Sequence, residues 1–136
     1  MGRDELKVLI VDDQAGVRFL LDIVVKESGH KSYMAQNGLE AIELACSVCP
    51  DLIFMDVRMP RIGGLEALRK IKETNPEIQV IIMTAYGSDQ TVSDALRYGA
   101  WCYIAKPFDV NEIKKLLIKF VNKHGDIDDS NAVYCM

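Results

Sequence analysis

The feature that most constrains this chain is an alternation. Five short apolar runs, Lys7 to Val11, Lys31 to Ala35, Leu52 to Met55, Ile78 to Met83 and Trp101 to Ala105, are separated by stretches whose apolar residues recur at helical spacing. Near-continuous apolar runs are what strands buried on both faces require, and a parallel sheet covered by helices on each side buries them that way. The second run is the most polar and fits an edge. Between the runs, Val17, Leu20, Leu21 and Val24 form one helical stripe, Leu39, Ile42 and Cys46 a second, Leu65, Leu68 and Ile71 a third, and Val92, Ala95 and Leu96 a fourth. The last stripe, Val110, Ile113, Leu116, Leu117 and Phe120, opens with Asp109 as N-cap and Glu112 three residues on, a capping-box start. Gly29, Gly38, Pro50, Pro60, Gly63, Gly64, Pro76, Gly87, Gly99 and Pro107 fall between elements or at their ends.

Right-handed crossovers in a five-unit β/α chain leave the open doubly wound sheet as the natural topology, and a closed eight-fold barrel needs far more chain. The 136 residues make one domain that buries about two thirds of its unfolded surface. We place that domain at residues 5–123. From His124 onward the apolar stripe is lost, and residues 124–136 read as a short acidic, mobile tail.

Composition removes several functions. The 49% hydrophobic and 26% charged content is ordinary for a globular domain, and the formal charge of -4 argues against a basic nucleic-acid face. The first apolar run ends at Asp12-Asp13, too short for a signal h-region or a membrane span, so a cytoplasmic location is expected. Position 6 is Leu, and Cys135 lies too near the C-terminus for prenylation, so no lipid anchor is expected. The four cysteines are expected as thiols rather than a disulfide scaffold, and Cys46-x-x-Cys49 as core packing in line with Leu39 and Ile42. His30 and His124 are expected to be solvated, and Trp101 and Tyr103 to share one face of the last strand.

In open α/β sheets, ligands bind beyond the carboxyl ends of the strands. Four of the five ends carry chemistry: Asp12-Asp13, Asp56, Thr84 and Lys106-Pro107. Carboxylates about 4 Å apart repel by roughly 4 kcal/mol at an effective dielectric near 20, so three of them at one edge need a cation. Lys106 supplies one positive charge, and the remaining oxygens suit Mg²⁺. With no Cys or His at these ends, zinc is disfavoured. Metal, amine and hydroxyl around an aspartate are the parts that bind a phosphoryl group, with the aspartate as nucleophile and a labile acyl phosphate as product. No Gly-x-x-x-x-Gly-Lys-[Ser/Thr] stretch is present to cradle a nucleotide. Adjacent acids such as Asp12-Asp13 also occur as plain helix caps, a reading weakened by the company of Asp56, Thr84 and Lys106.

These residues sit in four motifs: Val8-Leu9-Ile10-Val11-Asp12-Asp13-Gln14, Asp51-Leu52-Ile53-Phe54-Met55-Asp56-Val57-Arg58-Met59-Pro60, Val80-Ile81-Ile82-Met83-Thr84-Ala85-Tyr86-Gly87 and Ala105-Lys106-Pro107-Phe108-Asp109. Together they resemble the receiver domains of two-component response regulators over roughly residues 5 to 123, and within that family the sporulation-phosphorelay and nitrogen-regulator types. The resemblance implies a flavodoxin-like (βα)5 fold with strand order 2-1-3-4-5. It also implies Asp56 as acceptor of a phosphoryl group from a sensor histidine kinase. Asp12, Asp13 and the backbone carbonyl of Arg58 would join Asp56 in holding Mg²⁺, while Thr84 and Lys106 would contact phosphoryl oxygens and Lys106-Pro107 would be cis. Tyr103 would take the switch-aromatic position, and the fourth helix, fifth strand and fifth helix would form the surface that changes. A histidine phosphotransferase and a downstream protein target are further implied partners, with no direct nucleic-acid or membrane contact.

Arg58 and Tyr86, two residues past Asp56 and Thr84, are long enough to crowd the path of a hydrolytic water and so to lengthen the phosphoryl lifetime. Gly63 and Gln14 depart from the family pattern, where acids are commoner. Two other functions compete. A Mg²⁺-dependent phosphohydrolase with an aspartyl nucleophile would pair it with a second acid two residues on, where Arg58 stands. A flavin carrier on the same sheet would need a Ser/Thr/Gly-rich loop after the first strand, where Asp12-Asp13 repel phosphate.

Overall fold

The computed structural model describes residues 5–85 and 89–122. Strands β1 (Lys7–Val11), β2 (Lys31–Ala35), β3 (Leu52–Asp56), β4 (Gln79–Thr84) and β5 (Cys102–Ala105) alternate with helices α1 (Ala15–Glu27), α2 (Gly38–Val48), α3 (Gly64–Thr74), α4 (Asp89–Arg97) and α5 (Val110–Asn122). The strands form one sheet in the order β2-β1-β3-β4-β5, all pairs parallel. This is the doubly wound, flavodoxin-like α/β fold, and the polar second run is indeed an edge. No helix among the described residues is long and apolar enough to cross a membrane.

Side-chain alternation splits the core in two. Val8, Ile10, Leu52, Phe54, Ile81, Met83, Cys102 and Ile104 face α1 and α5, while Leu9, Val11, Ile53, Met55, Val80 and Ile82 face α2, α3 and α4. α5 buries the expected Ile113, Leu116, Leu117 and Phe120. Asp109 caps its start: Asp109 Oδ1 accepts from Asn111 N at 2.8 Å, one residue short of a full capping box, while Asp109 N donates to Glu112 Oε1 at 3.0 Å as the spacing requires. A second cap had gone unread at α2, where Asn37 Oδ1 accepts from Glu40 N at 2.9 Å.

Four expectations are corrected. In α2 the buried residues are Gly38, Ala41 and Ala45, one position before the large residues assigned to the stripe. Small side chains let this helix approach its neighbours closely: a Cβ on Gly38 would overlap the carbonyl of Ile62. Leu39 is therefore partly exposed, and Cys46 and Cys49 are exposed free thiols rather than core. His30 is buried, its Nδ1 accepting from Leu6 N at 3.1 Å. Trp101 precedes β5 and packs edge-on against Phe120 on the α1–α5 side, whereas Tyr103 packs on the opposite side, so the two do not share a face. Gln14 rather than Asp13 is the N-cap of α1, and no side chain caps it. Tyr86, His124 and the acidic tail lie outside the described residues.

Candidate functional site

The site begins with strand parity. Positions 8, 10 and 12, positions 52, 54 and 56, and positions 102, 104 and 106 continue the face that packs on α1 and α5, so Asp12, Asp56 and Lys106 leave the sheet from the same side. Thr84 continues the other parity, from Val80 and Ile82. Register brings them level: Asp56 pairs with Met83 and Thr84 with Ala105. Backbone bonds lock the rim, Val57 N to Met83 O at 3.0 Å and Lys106 N to Thr84 O at 2.8 Å. The Lys106–Pro107 peptide is cis.

Lys106 Nζ lies 2.7 Å from Asp12 Oδ2 and 3.3 Å from Asp56 Oδ1. Asp12 is fully buried, and its other oxygen accepts from Gln14 N at 2.9 Å. Asp13 is exposed, and one oxygen from each of Asp12, Asp13 and Asp56 lies within 4.8 Å of the others. Thr84 is buried at the end of β4. Arg58 is exposed in the turn after β3, and Tyr103 is half-buried in β5. Asp12, Asp56 and Lys106 are thus gathered by direct contact, Asp13 by proximity to the other two carboxylates, and Thr84 by register.

The electrostatics follow from this crowding. Burial pushes the Asp56 carboxyl above its usual value, and the Asp12 charge adds to the rise. Lys106 opposes both, and Asp13 contributes a smaller rise. For Lys106, burial alone would lower the pKa, but the hydrogen bond to Asp12, the Asp12 charge and the Asp56 charge outweigh it, leaving the ammonium above its usual value. Three carboxylates and one ammonium leave a formal charge of -2 at the rim.

That donor set fits a hard divalent cation. Mg²⁺ binds oxygens at about 2.1 Å, so ligands on opposite sides of the ion stand about 4.2 Å apart. With one oxygen from each carboxylate within 4.8 Å of the others, the three reach a common ion by moving inward or through a bridging water. Mg²⁺ would bring the rim to neutrality.

Two supporting residues escaped sequence reasoning. Arg18 Nη1 donates to the backbone carbonyl of Asp12 at 2.7 Å, a contact that leaves no trace in side-chain patterns. Gly64 had been read only as turn punctuation. A Cβ there would overlap the Asp56 carbonyl and lie 2.9 Å from Val57 Cα, so α3 starts hard against the strand end that carries Asp56. Gly64 N also donates to Val57 O at 2.9 Å.

Comparison with known proteins agrees with this geometry. The sequence model of the response regulator receiver domain family matches residues 8–118. The chain is 40% identical over 115 residues to sporulation initiation phosphotransferase F of Bacillus subtilis, covering 85% of this chain and 93% of that protein. It is 34% identical over 119 residues to the DNA-binding transcriptional regulator NtrC of Escherichia coli, covering 88% of this chain but only 25% of NtrC. Among solved structures, the CheX–CheY–BeF3–Mg²⁺ complex from Borrelia burgdorferi superposes with a TM-score of 0.79 at 30% identity, covering 85% of this chain and 87% of that one.

Proposed function

Since the chain belongs to the response regulator receiver domain family, we propose that Asp56 is its phosphoacceptor and that the rim around it is the phosphoryl-transfer site. The observation that carries this reading is the Lys106 ammonium set between two buried carboxylates, with a third carboxylate within reach of the same point. An Asp56 oxygen attacks phosphorus, the phosphorus–nitrogen bond of a kinase phosphohistidine breaks, and the imidazole departs. Lys106 stays beside the reacting oxygen and draws charge from the transferred group, and Thr84 donates a hydrogen bond to another of its oxygens. Asp12, Asp13, Asp56 and the Arg58 carbonyl would hold Mg²⁺, which would supply charge neutralisation. The chain is a phosphoacceptor switch that assists its own modification.

The phosphoryl group makes its contacts in only one arrangement of the rim and so shifts a population. We assign Tyr103 and the α4–β5–α5 face to the surface that reads this shift. A sensor histidine kinase supplies the group, in the cytoplasm, and a downstream protein or a second histidine receives the signal. The naming of the Bacillus relative as a phosphotransferase supports the relay version. The receiver unit is assigned to residues 5–123 and the tail to 124–136. The phosphohydrolase alternative is not favoured, because Arg58 stands where its second acid belongs.

Incubation with Mg²⁺ and acetyl phosphate, read by intact mass, tests the proposal. A single phosphoryl adduct is expected, absent without Mg²⁺ and absent in Asp56→Asn. An adduct unaffected by that substitution would overturn it. Arg58 and Tyr86, long residues two past Asp56 and Thr84 in the sequence, are assigned the role of slowing hydrolysis of the adduct, so the Arg58→Ala, Tyr86→Ala double variant is expected to lose phosphate faster than the parent. Equal decay rates would refute that role.

A further inference from the structure

We infer that Cys46 and Cys49 form a reactive dithiol at the C-terminal end of α2, which a low-molecular-weight disulfide such as oxidised glutathione converts to an intramolecular Cys46–Cys49 disulfide. Both thiols are free and exposed, Cys46 in the last turn of α2 and Cys49 as the C-cap that follows it. Neither side chain therefore has a packing role to explain it. Cys102, by contrast, is buried in the sheet and closed to reagents.

The backbone brings the pair within bridging distance. Helical geometry sets residues three apart at about 5 Å between Cα atoms, inside the roughly 4.4–6.8 Å range that disulfides span. Cys49 N still donates to Ala45 O at 3.1 Å, which keeps Cys49 at that helical position. Within a regular helix, Cβ atoms three apart stand about 5–6 Å from each other, too far for a relaxed bridge. Cys49 is not within the helix: it is the C-cap residue, left-handed at φ 54° and ψ 63°, so its Cβ is not held to the helical direction. Its Sγ folds back to within 3.6 Å of the Cys46 carbonyl, to which it donates. A left-handed cap position usually falls to glycine, and an exposed cysteine there gains no burial in return.

Metal binding is the weaker use of this pair. Among the described residues, the only group of three or more candidate ligands is Asp12, Asp13 and Asp56, so the two thiols lack the further donors that zinc requires. Covalent bridging needs only the two sulfurs. One thiolate attacks a sulfur of the oxidant, forming a mixed disulfide and releasing the first glutathione thiol. The second thiolate attacks the protein sulfur of that mixed disulfide and releases the other glutathione thiol. The two cysteines lose two protons and two electrons, which reduce one glutathione disulfide to two thiols.

The dithiol sits at the opposite end of β3 from Asp56. Lys7 holds that end together, its Nζ donating to Val48 O at 3.1 Å and its N to Asp51 Oδ2 at 2.9 Å. Bridging is therefore expected to leave Asp56 phosphorylation unchanged, which separates this site from the phosphoryl-transfer reading.

The full chain, carrying Cys135→Ser, is to be equilibrated with oxidised glutathione under native conditions and analysed by intact mass and peptide mapping. The expected product is a monomer lighter by two hydrogens, with the Cys46 and Cys49 peptides joined and thiol reductant restoring the starting mass. Cys46→Ser and Cys49→Ser in the same background should each instead retain one glutathione adduct. Two stable glutathione adducts on the parent, or a link from either cysteine to another chain, would overturn the inference.

Discussion

Asp56 and Lys106 are held in opposite balance. Asp56 lies in a pocket that disfavours its charge, through burial first and Asp12 second. Its folded-state pKa is raised, so the folded protein holds the proton more tightly than the unfolded chain does, and the ionised carboxylate costs stability above that pKa. The cost is present at neutral pH and disappears as pH falls through the raised value toward 3.8. Metal-free Asp56→Asn is accordingly expected to melt at a higher temperature than the parent at pH 7, with the gap closing as pH drops through that window. Thermal melts across pH check this, and a gap that is absent at pH 7 or widens on acidification would contradict it. Lys106 has the reverse sign: its ammonium stabilises the fold at every pH below its ordinary value, and that support is lost only as pH rises through the raised one. Asp12, Asp13, Asp56, Thr84 and Lys106 could be read from sequence because each directly follows or ends an apolar run. Arg18 could not, because it serves a backbone carbonyl. His30 was misread for a related reason, since its partner is the Leu6 amide.

At the scale of elements, the acidic rim depends on how closely α3 can start behind β3. Gly64 meets the Asp56 carbonyl with no room for a methyl group, and the obstacle is backbone, which cannot swing aside. Gly64→Ala should destabilise the protein by about 2 kcal/mol or more through overpacking. Gly16, in the first turn of α1, has nothing within 4 Å of the same added atom. Gly16→Ala should instead be neutral or stabilising by up to about 1 kcal/mol. Denaturant titration of the two variants gives the comparison, and equal effects would contradict the packing described here. The sequence made α5 legible because its large residues are also its buried ones. α2 misled because Gly38, Ala41 and Ala45 have the same spacing as Leu39, Ile42 and Cys46, and close approach selected the smaller set. β5 was overextended by one residue, which placed Trp101 on the wrong side of the sheet.

Across the whole molecule, parallel topology sends the carboxyl ends of β1, β3, β4 and β5 to one edge, and that convergence turns scattered acidic residues into a site. The fold was legible because five buried runs separated by helical stripes admit few other solutions. The pairing of charges at the rim was less so, since it depends on register and on which face each strand ends. The central claim is that this edge makes Asp56 the seat of an acyl phosphate. Borohydride reduces an acyl phosphate on aspartate to the alcohol, marking the modified residue as homoserine for peptide mass spectrometry. After Mg²⁺-dependent phosphorylation of the full chain, homoserine is expected at position 56, with Asp12 and Asp13 unaltered. Homoserine at position 12 or 13, or at no position despite a phosphoryl adduct on the intact protein, would contradict the assignment.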